Sequence, residues 1–137
     1  MTPIQQMFLA VVGTTPPGQQ EYTTPGSYTF TPPGGMEKFS AVVVAGGGAG
    51  APAYGTKNGG AGGGGGLSYA NNMTWTTDID IVVGAGGAVQ TSGTSGTHGN
   101  QSYVMSSGNL RAEPGDRGNS QGGGGGGGGG TTPTGGS

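Results

Sequence analysis

Apolar positions along the chain come in short stretches separated by glycine, and their period changes once. Ile4, Met7, Phe8 and Val11 fall at i, i+3, i+4 and i+7, the stripe of an amphipathic helix of one to two turns. So short a helix is not stable alone in water, and Thr14-Thr-Pro-Pro-Gly18 breaks the chain after it. Residues 1–18 are therefore expected to form an N-terminal arm, either a frayed terminus or a docking peptide that orders against a partner. From there the period is two. Tyr28-Thr-Phe30 alternates between two turn sequences, Thr24-Pro-Gly-Ser27 and Thr31-Pro-Pro-Gly-Gly35. Phe39-Ser-Ala-Val-Val-Val-Ala45 is nearly continuously apolar and β-branched, which predicts a central strand covered on both faces. Leu67-Ser-Tyr69, Met73-Thr-Trp75, Ile79-Asp-Ile-Val-Val83 and Ser102-Tyr-Val-Met105 predict further strands, with Ile79, Ile81 and Val83 on one face. Residues 88–100 read as a polar loop and 106–120 as turns.

What lies between the strands is glycine, at 46–50, 59–66, 84–87 and 122–130. Glycine supplies 37 of 137 residues, far above the usual share of roughly 7%. There is no strict Gly-X-Y period, so collagen is not the reading. High glycine and proline without a period normally mean disorder, yet disordered chains are usually rich in charge and this one has four Lys and Arg with six Asp and Glu. Fixing a backbone costs about 1–2 kcal/mol per residue, with glycine at the upper end, and glycine has no side chain to bury in return. Such runs either remain flexible linkers or bond through the main chain to neighbouring segments. A polyproline-II-type helix, with three residues per turn and no internal hydrogen bonds, turns every N–H and C=O outward for lateral bonding. Three of the four runs adjoin a strand-like segment, which favours packing. The fold class expected is all-β, a small β-sandwich-like sheet with glycine-rich loops and polyglycine-II-type segments. Residues 19–131 would be the glycine-rich β domain, after the arm 1–18 and before a tail at 132–137.

Charge and composition exclude several functions. The net charge is −2 and the four basic residues are scattered, so no cluster exists to neutralise nucleic-acid phosphates. No apolar run reaches the ~20 residues that span a bilayer, and the N-terminus lacks the basic start of a secretory signal. Without cysteine there is no disulfide framework and no thiolate metal site. His98 has no nucleophile on a strained elbow to serve. Asp78 and Asp80 share a strand face but lack a third partner, and Glu113-Pro-Gly-Asp-Arg-Gly118 lacks EF-hand spacing and reads as a charged turn. The glycine runs open no helix and are not phosphate loops. The expectation is a non-enzymatic protein with no catalytic residue, no cofactor and no metal.

The ordered series Tyr-Thr-Thr-Pro-Gly-Ser-Tyr-Thr-Phe (22–30), Val-Val-Val-Ala-Gly-Gly-Gly-Ala-Gly (42–50), Gly-Gly-Gly-Gly-Gly-Leu-Ser-Tyr-Ala-Asn-Asn (62–72), Ile-Val-Val-Gly-Ala-Gly-Gly (81–87) and Gly-Asn-Gln-Ser-Tyr (99–103), with a final glycine run, resembles the glycine-rich domain of bacteriophage tail fibres and related virion proteins. Met-Thr-Pro-Ile-Gln-Gln-Met (1–7) is similar to the start of several marine-phage structural proteins. The resemblance implies a β-plus-polyglycine module on the surface of the virion. The arm would be anchored to other virion structural proteins through Ile4, Met7, Phe8 and Val11. Some relatives are receptor-binding tips. In this chain the contact residues would be Tyr54, Lys57 and Asn58 in one loop and His98 in another, facing a host-surface glycan or protein. A homo-oligomer is expected, a trimer being the usual fibre symmetry, although no heptad specifies it. A dedicated adhesin tip, a capsid decoration or head fibre, and a cellular glycine-rich matrix or ice-binding protein stay open as alternatives.

Overall fold

The computed structural model describes residues 18–120 and 131–133. It is all-β, with two antiparallel sheets. In chain order the strands are β1 (Gly26–Phe30), β2 (Phe39–Val44), β3 (Leu67–Met73), β4 (Ile79–Val83), β5 (Ser102–Val104), β6 (Leu110–Ala112) and β7 (Thr131–Pro133). The larger sheet has the order β1-β4-β5-β6-β7 and the smaller is the β2-β3 pair. β1 starts opposite the end of β4, with Gly26 paired to Val83 and Phe30 to Ile79. The second proline turn forms as its residues suggest. Met36 N–H donates to the Pro33 carbonyl at 3.2 Å, and Gly35 takes the left-handed φ of 87° at the third position.

The two sheets stack as a small sandwich. β2 lies over β5 and β6, and β3 over β6 and β7. Val43, Ala45, Ile79, Val104, Leu110 and Ala112 are buried between the layers, with Leu110 fully enclosed. Ser102 joins the layers by a polar bridge: its buried Oγ donates to the Val44 carbonyl at 2.7 Å and accepts from the Gly84 N–H at 2.9 Å. Trp75 packs on Phe39 at a ring separation of 5.8 Å, closing one end of the core.

Two sequence expectations change here. β2 is not a central strand covered on both faces. Among the described residues it pairs only with β3, and Val42 stands 67% exposed on the outer face beside Val44, Leu67 and Tyr69. A continuous apolar run reports burial potential, not the number of layers above it, and here only Val43 and its inward neighbours are covered. Tyr69, the cross-strand partner of Val42, is 63% exposed on the same face. The stretches 67–69 and 73–75 are not two strands. β3 runs unbroken through Asn71 to Met73, with Asn72 at φ 56°, a conformation that asparagine tolerates better than most residues.

The sandwich is lopsided. Five strands face two, so among the described residues β1 and β4 have no strand stacked along their length, although Ile79 at the start of β4 is buried in the core. A cleft of about 900 Å³ lies there beside β2, and Gly18–Thr23 form part of its wall.

Candidate functional site

Five strands do not stop at the sheet ends but continue into glycine-rich extended segments. β2 leads into residues 45–51, β4 into 84–88 and β6 into 113–120, while 59–66 lead into β3 and 95–100 into β5. These segments bond to one another at every third residue. From 45–51, the N–H groups of Ala45, Gly48 and Ala51 donate to the carbonyls of Gly66, Gly63 and Gly60 at 3.0, 2.8 and 2.8 Å. On a second edge, Gly46 and Ala49 donate to Asn100 and Thr97 at 3.0 and 2.9 Å. The carbonyls of Gly46 and Ala49 accept from Gly115 and Gly118, both at 2.9 Å, and that of Gly47 accepts from Gly87 at 2.8 Å. The outer segments also bond in threes. Gly66 and Gly63 donate to Glu113 and Asp116, and Gly96 and Gly99 to Gly118 and Gly115.

A three-residue repeat of lateral bonds, with none inside a segment, is the signature of a threefold extended helix. Residues 45–51 form the hub, bonded to all four neighbours. The packing tolerates no side chain toward a neighbour. A Cβ on Gly59, Gly62 or Gly65 would stand 2.0, 2.1 and 2.0 Å from the carbonyl oxygens of Ala51, Gly48 and Ala45. Each of those glycines instead turns a Cα–H toward that oxygen, a weak contact that adds to the N–H bonds. The outward register is free: a Cβ on Gly64 meets nothing, and Ala61 is exposed three residues earlier. The bundle is thus a slim rod held by main-chain bonds, about 22 Å long over the seven residues of its hub at ~3.1 Å each.

Two of its members are absent from the glycine runs read in the sequence. Residues 95–100 are not wholly a polar loop, and Glu113–Gly118 is not a charged turn. Both are bundle segments whose inward glycines, Gly96 and Gly99 in one and Gly115 and Gly118 in the other, are spaced by three. That Gly-x-x-Gly spacing was the available signal. The intervening Thr97, His98, Asp116 and Arg117 are partly or fully exposed.

The bond register also sets which loops share an end. Ala51 bonds Gly60, Ala49 bonds Thr97 and Gly118, and Ser120 bonds Thr94 at 2.9 Å, so these residues lie at the end away from the sandwich. The loops 52–58 and 88–94 leave from that tip. The first closes as a two-residue hairpin: Tyr54 and Lys57 exchange both backbone bonds at 3.1 Å, with Gly55 at φ 64°. Glycine with positive φ at the first turn position suits a hairpin turn of type II′. As a directly paired couple, Tyr54 and Lys57 project to the same side, and Asn58 follows, exposed. Tyr54 is 55% exposed, and Val89 of the other loop 84%. Lys57 is the only charged residue of either loop.

His98 is not part of this tip. It sits on the flank of the rod, its Nδ1 3.3 Å from Oδ1 of Asp116 on the adjacent segment, both well exposed. Asp78 and Asp80 are exposed, and Asp80 Oδ1 meets Thr29 Oγ1 at 3.5 Å. Among the described residues no three His, Asp or Glu side chains gather as a metal site. Ile4, Met7, Phe8 and Val11, the 122–130 run and residues 134–137 lie outside the described residues.

A family model for a glycine-rich domain matches residues 23–137, which takes in all seven strands and all five bundle segments. The chain belongs to this glycine-rich domain family. The match begins three residues before β1 and spans both the sandwich and the threefold rod. No curated protein and no solved structure matches the chain.

Proposed function

We propose that this chain is a non-enzymatic structural protein of a bacteriophage virion, a short appendage whose glycine rod holds contact loops away from the particle. The arm 1–18 would attach it to other virion proteins, and the rod tip would meet the host surface. The resemblance of the ordered glycine series to tail-fibre domains supports the virion setting. The observation that carries the mechanical part is the threefold bond register from Ala45 to Ala51. It makes a narrow rod with little apolar core, and it delivers Tyr54 and Lys57 side by side at the far end. An aromatic face next to a cation suits stacking on a sugar ring with a hydrogen bond or ion pair to its substituents. That chemistry favours a surface glycan as the host ligand.

The test is to purify particles on a density gradient and look for the chain by mass spectrometry. It should sediment with the particles at fixed stoichiometry, and particles carrying Tyr54→Ala with Lys57→Ala should adsorb to host cells at least tenfold more slowly. Absence of the chain from washed particles would overturn the virion reading. Its presence with unchanged adsorption would leave the structural role and remove the tip contact.

A further inference from the structure

The cleft beside β2 has the features of a site for one more strand. Ala45 donates toward β3 at Gly66, so the odd-numbered residues Ala41, Val43 and Ala45 turn their main-chain groups to β3. By the alternation of an antiparallel pair, Val42 and Val44 turn theirs the other way. The Val44 carbonyl turns to that side, where it accepts from Ser102 Oγ at 2.7 Å, so the Val42 N–H and carbonyl and the Val44 N–H are the groups this edge offers to a further strand. This edge borders the cleft, whose floor is the inner face of β4 beyond the buried Ile79, with Ile81 and Val83 half-buried there. An edge without a strand partner among the described residues, beside an apolar floor, is the arrangement that takes up an extended segment by strand addition.

We propose that the occupant is the chain's own N-terminal segment, with residues 7–12 lying extended along the free edge of β2. Three observations select it. Gly18 is itself in the cleft wall, so the seventeen residues before it start from the rim, and at ~3.3 Å per residue they have ample reach to double back. Met7-Phe-Leu-Ala-Val-Val12 is an unbroken apolar run of six, the length of β2, so whichever face turns to the cleft floor brings apolar side chains to it. Charge also matches: residues 1–17 have no charged side chain, and among the described residues Glu21 is the only charged one lining the cleft. The seated strand covers the half-buried Ile81 and Val83 of β4 and the edge of β2, and it shields part of the exposed Val42–Val44 rim. It takes the place of the short helix that the stripe Ile4, Met7, Phe8 and Val11 suggests. A virion partner that binds the same stripe then competes with the cleft.

Amide hydrogen exchange of the full chain, alone in dilute solution, tests this independently of any role in a virion. The Val42 and Val44 amides should be protected, and in Phe8→Asp with Val11→Asp they should exchange at least tenfold faster. The Ala41 and Val43 amides, bonded to β3, should not change and serve as the internal control. Val42 and Val44 exchanging in the wild-type chain as fast as the exposed Gly64 amide would overturn the proposal. Protection that appears only at high protein concentration would assign the cleft to another copy's segment and overturn it as well. If the double variant loses protection at all four sites, it has unfolded, and a photo-crosslinker at Phe8 of the otherwise native chain decides. Intrachain crosslinks to β2 or β4 support the proposal, and crosslinks elsewhere or between chains refute it.

Discussion

Gly62 lies so close to Gly48 that a Cβ on it would stand 2.1 Å from the Gly48 carbonyl oxygen. The atom in the way is main chain of the rod's hub, which bonds four neighbouring segments and has no free direction in which to retreat. Gly62→Ala is therefore expected to destabilise the fold by about 1–3 kcal/mol, the cost typical of overpacking, and to lower the Tm by several degrees. Gly64→Ala, two residues on and facing open space, should leave the Tm unchanged or raise it slightly, because alanine narrows the unfolded ensemble by about 0.4–1 kcal/mol. Thermal melts of the two variants side by side check the pair. Equal effects would show that the threefold register is wrong.

The same register predicts a pattern of hydrogen exchange within single segments. Gly48, Ala51, Gly63, Gly66, Gly99 and Gly118 donate to neighbours and should exchange slowly. Gly50 and Gly64, exposed and outside the bonding register, should exchange near the rate of an unstructured chain. Uniformly rapid exchange through 46–66 would mean that the glycine segments are loose tethers.

Much of this architecture is legible in the residues, and the parts that are not share one cause. β1 and β4 follow from alternation, because one face of each strand turns to the core. The runs at 46–50, 59–66 and 84–87 could be read as packed segments, because a chain with no side chains recovers its ordering cost only through its main chain. Residues 95–100 and 113–120 were hidden because a threefold helix needs glycine only where it meets a neighbour. His98, Asp116 and Arg117 occupy the outward positions and disguise the rest. The bare outer face with Val42 and Tyr69 was hidden for a related reason: local pattern shows which residues favour burial, and the count of strands in the opposing layer belongs to the whole chain. At the tip, Gly55 announces the hairpin that sets Tyr54 beside Lys57. The separation of His98 from them follows from a bond register that loop composition does not encode.

Ser102 should be the most sensitive polar side chain of the domain. Its hydroxyl serves a Val44 carbonyl and a Gly84 amide where both sheets pass into the rod, and it is 3% exposed. Ser102→Ala leaves a donor and an acceptor unpaired, each costing about 1–3 kcal/mol when water cannot reach it. Chemical denaturation should show a lower midpoint with an unchanged slope. Ser27→Ala, at an exposed position on β1, should leave both the midpoint and the slope unchanged.

The hairpin at the tip should behave in the opposite way. Gly55 has φ 64°, and a Cβ there meets no atom within 4 Å, so the constraint is conformational alone. Gly55→Val puts a β-branched residue into a left-handed position at a cost of about 1–2 kcal/mol. That cost falls on a loop closed by two backbone bonds between Tyr54 and Lys57. Opening the loop is cheaper than distorting the rod below it, so the global Tm should stay within a degree or two while the Tyr54 and Lys57 amides lose protection. The expected signature is local: chemical-shift changes confined to 52–58, with the Ala51 to Gly60 bond intact. Glycan binding at the tip, if Tyr54 and Lys57 act as a pair, should fall in Gly55→Val nearly as far as in Tyr54→Ala, since the variant keeps both side chains and removes only their alignment.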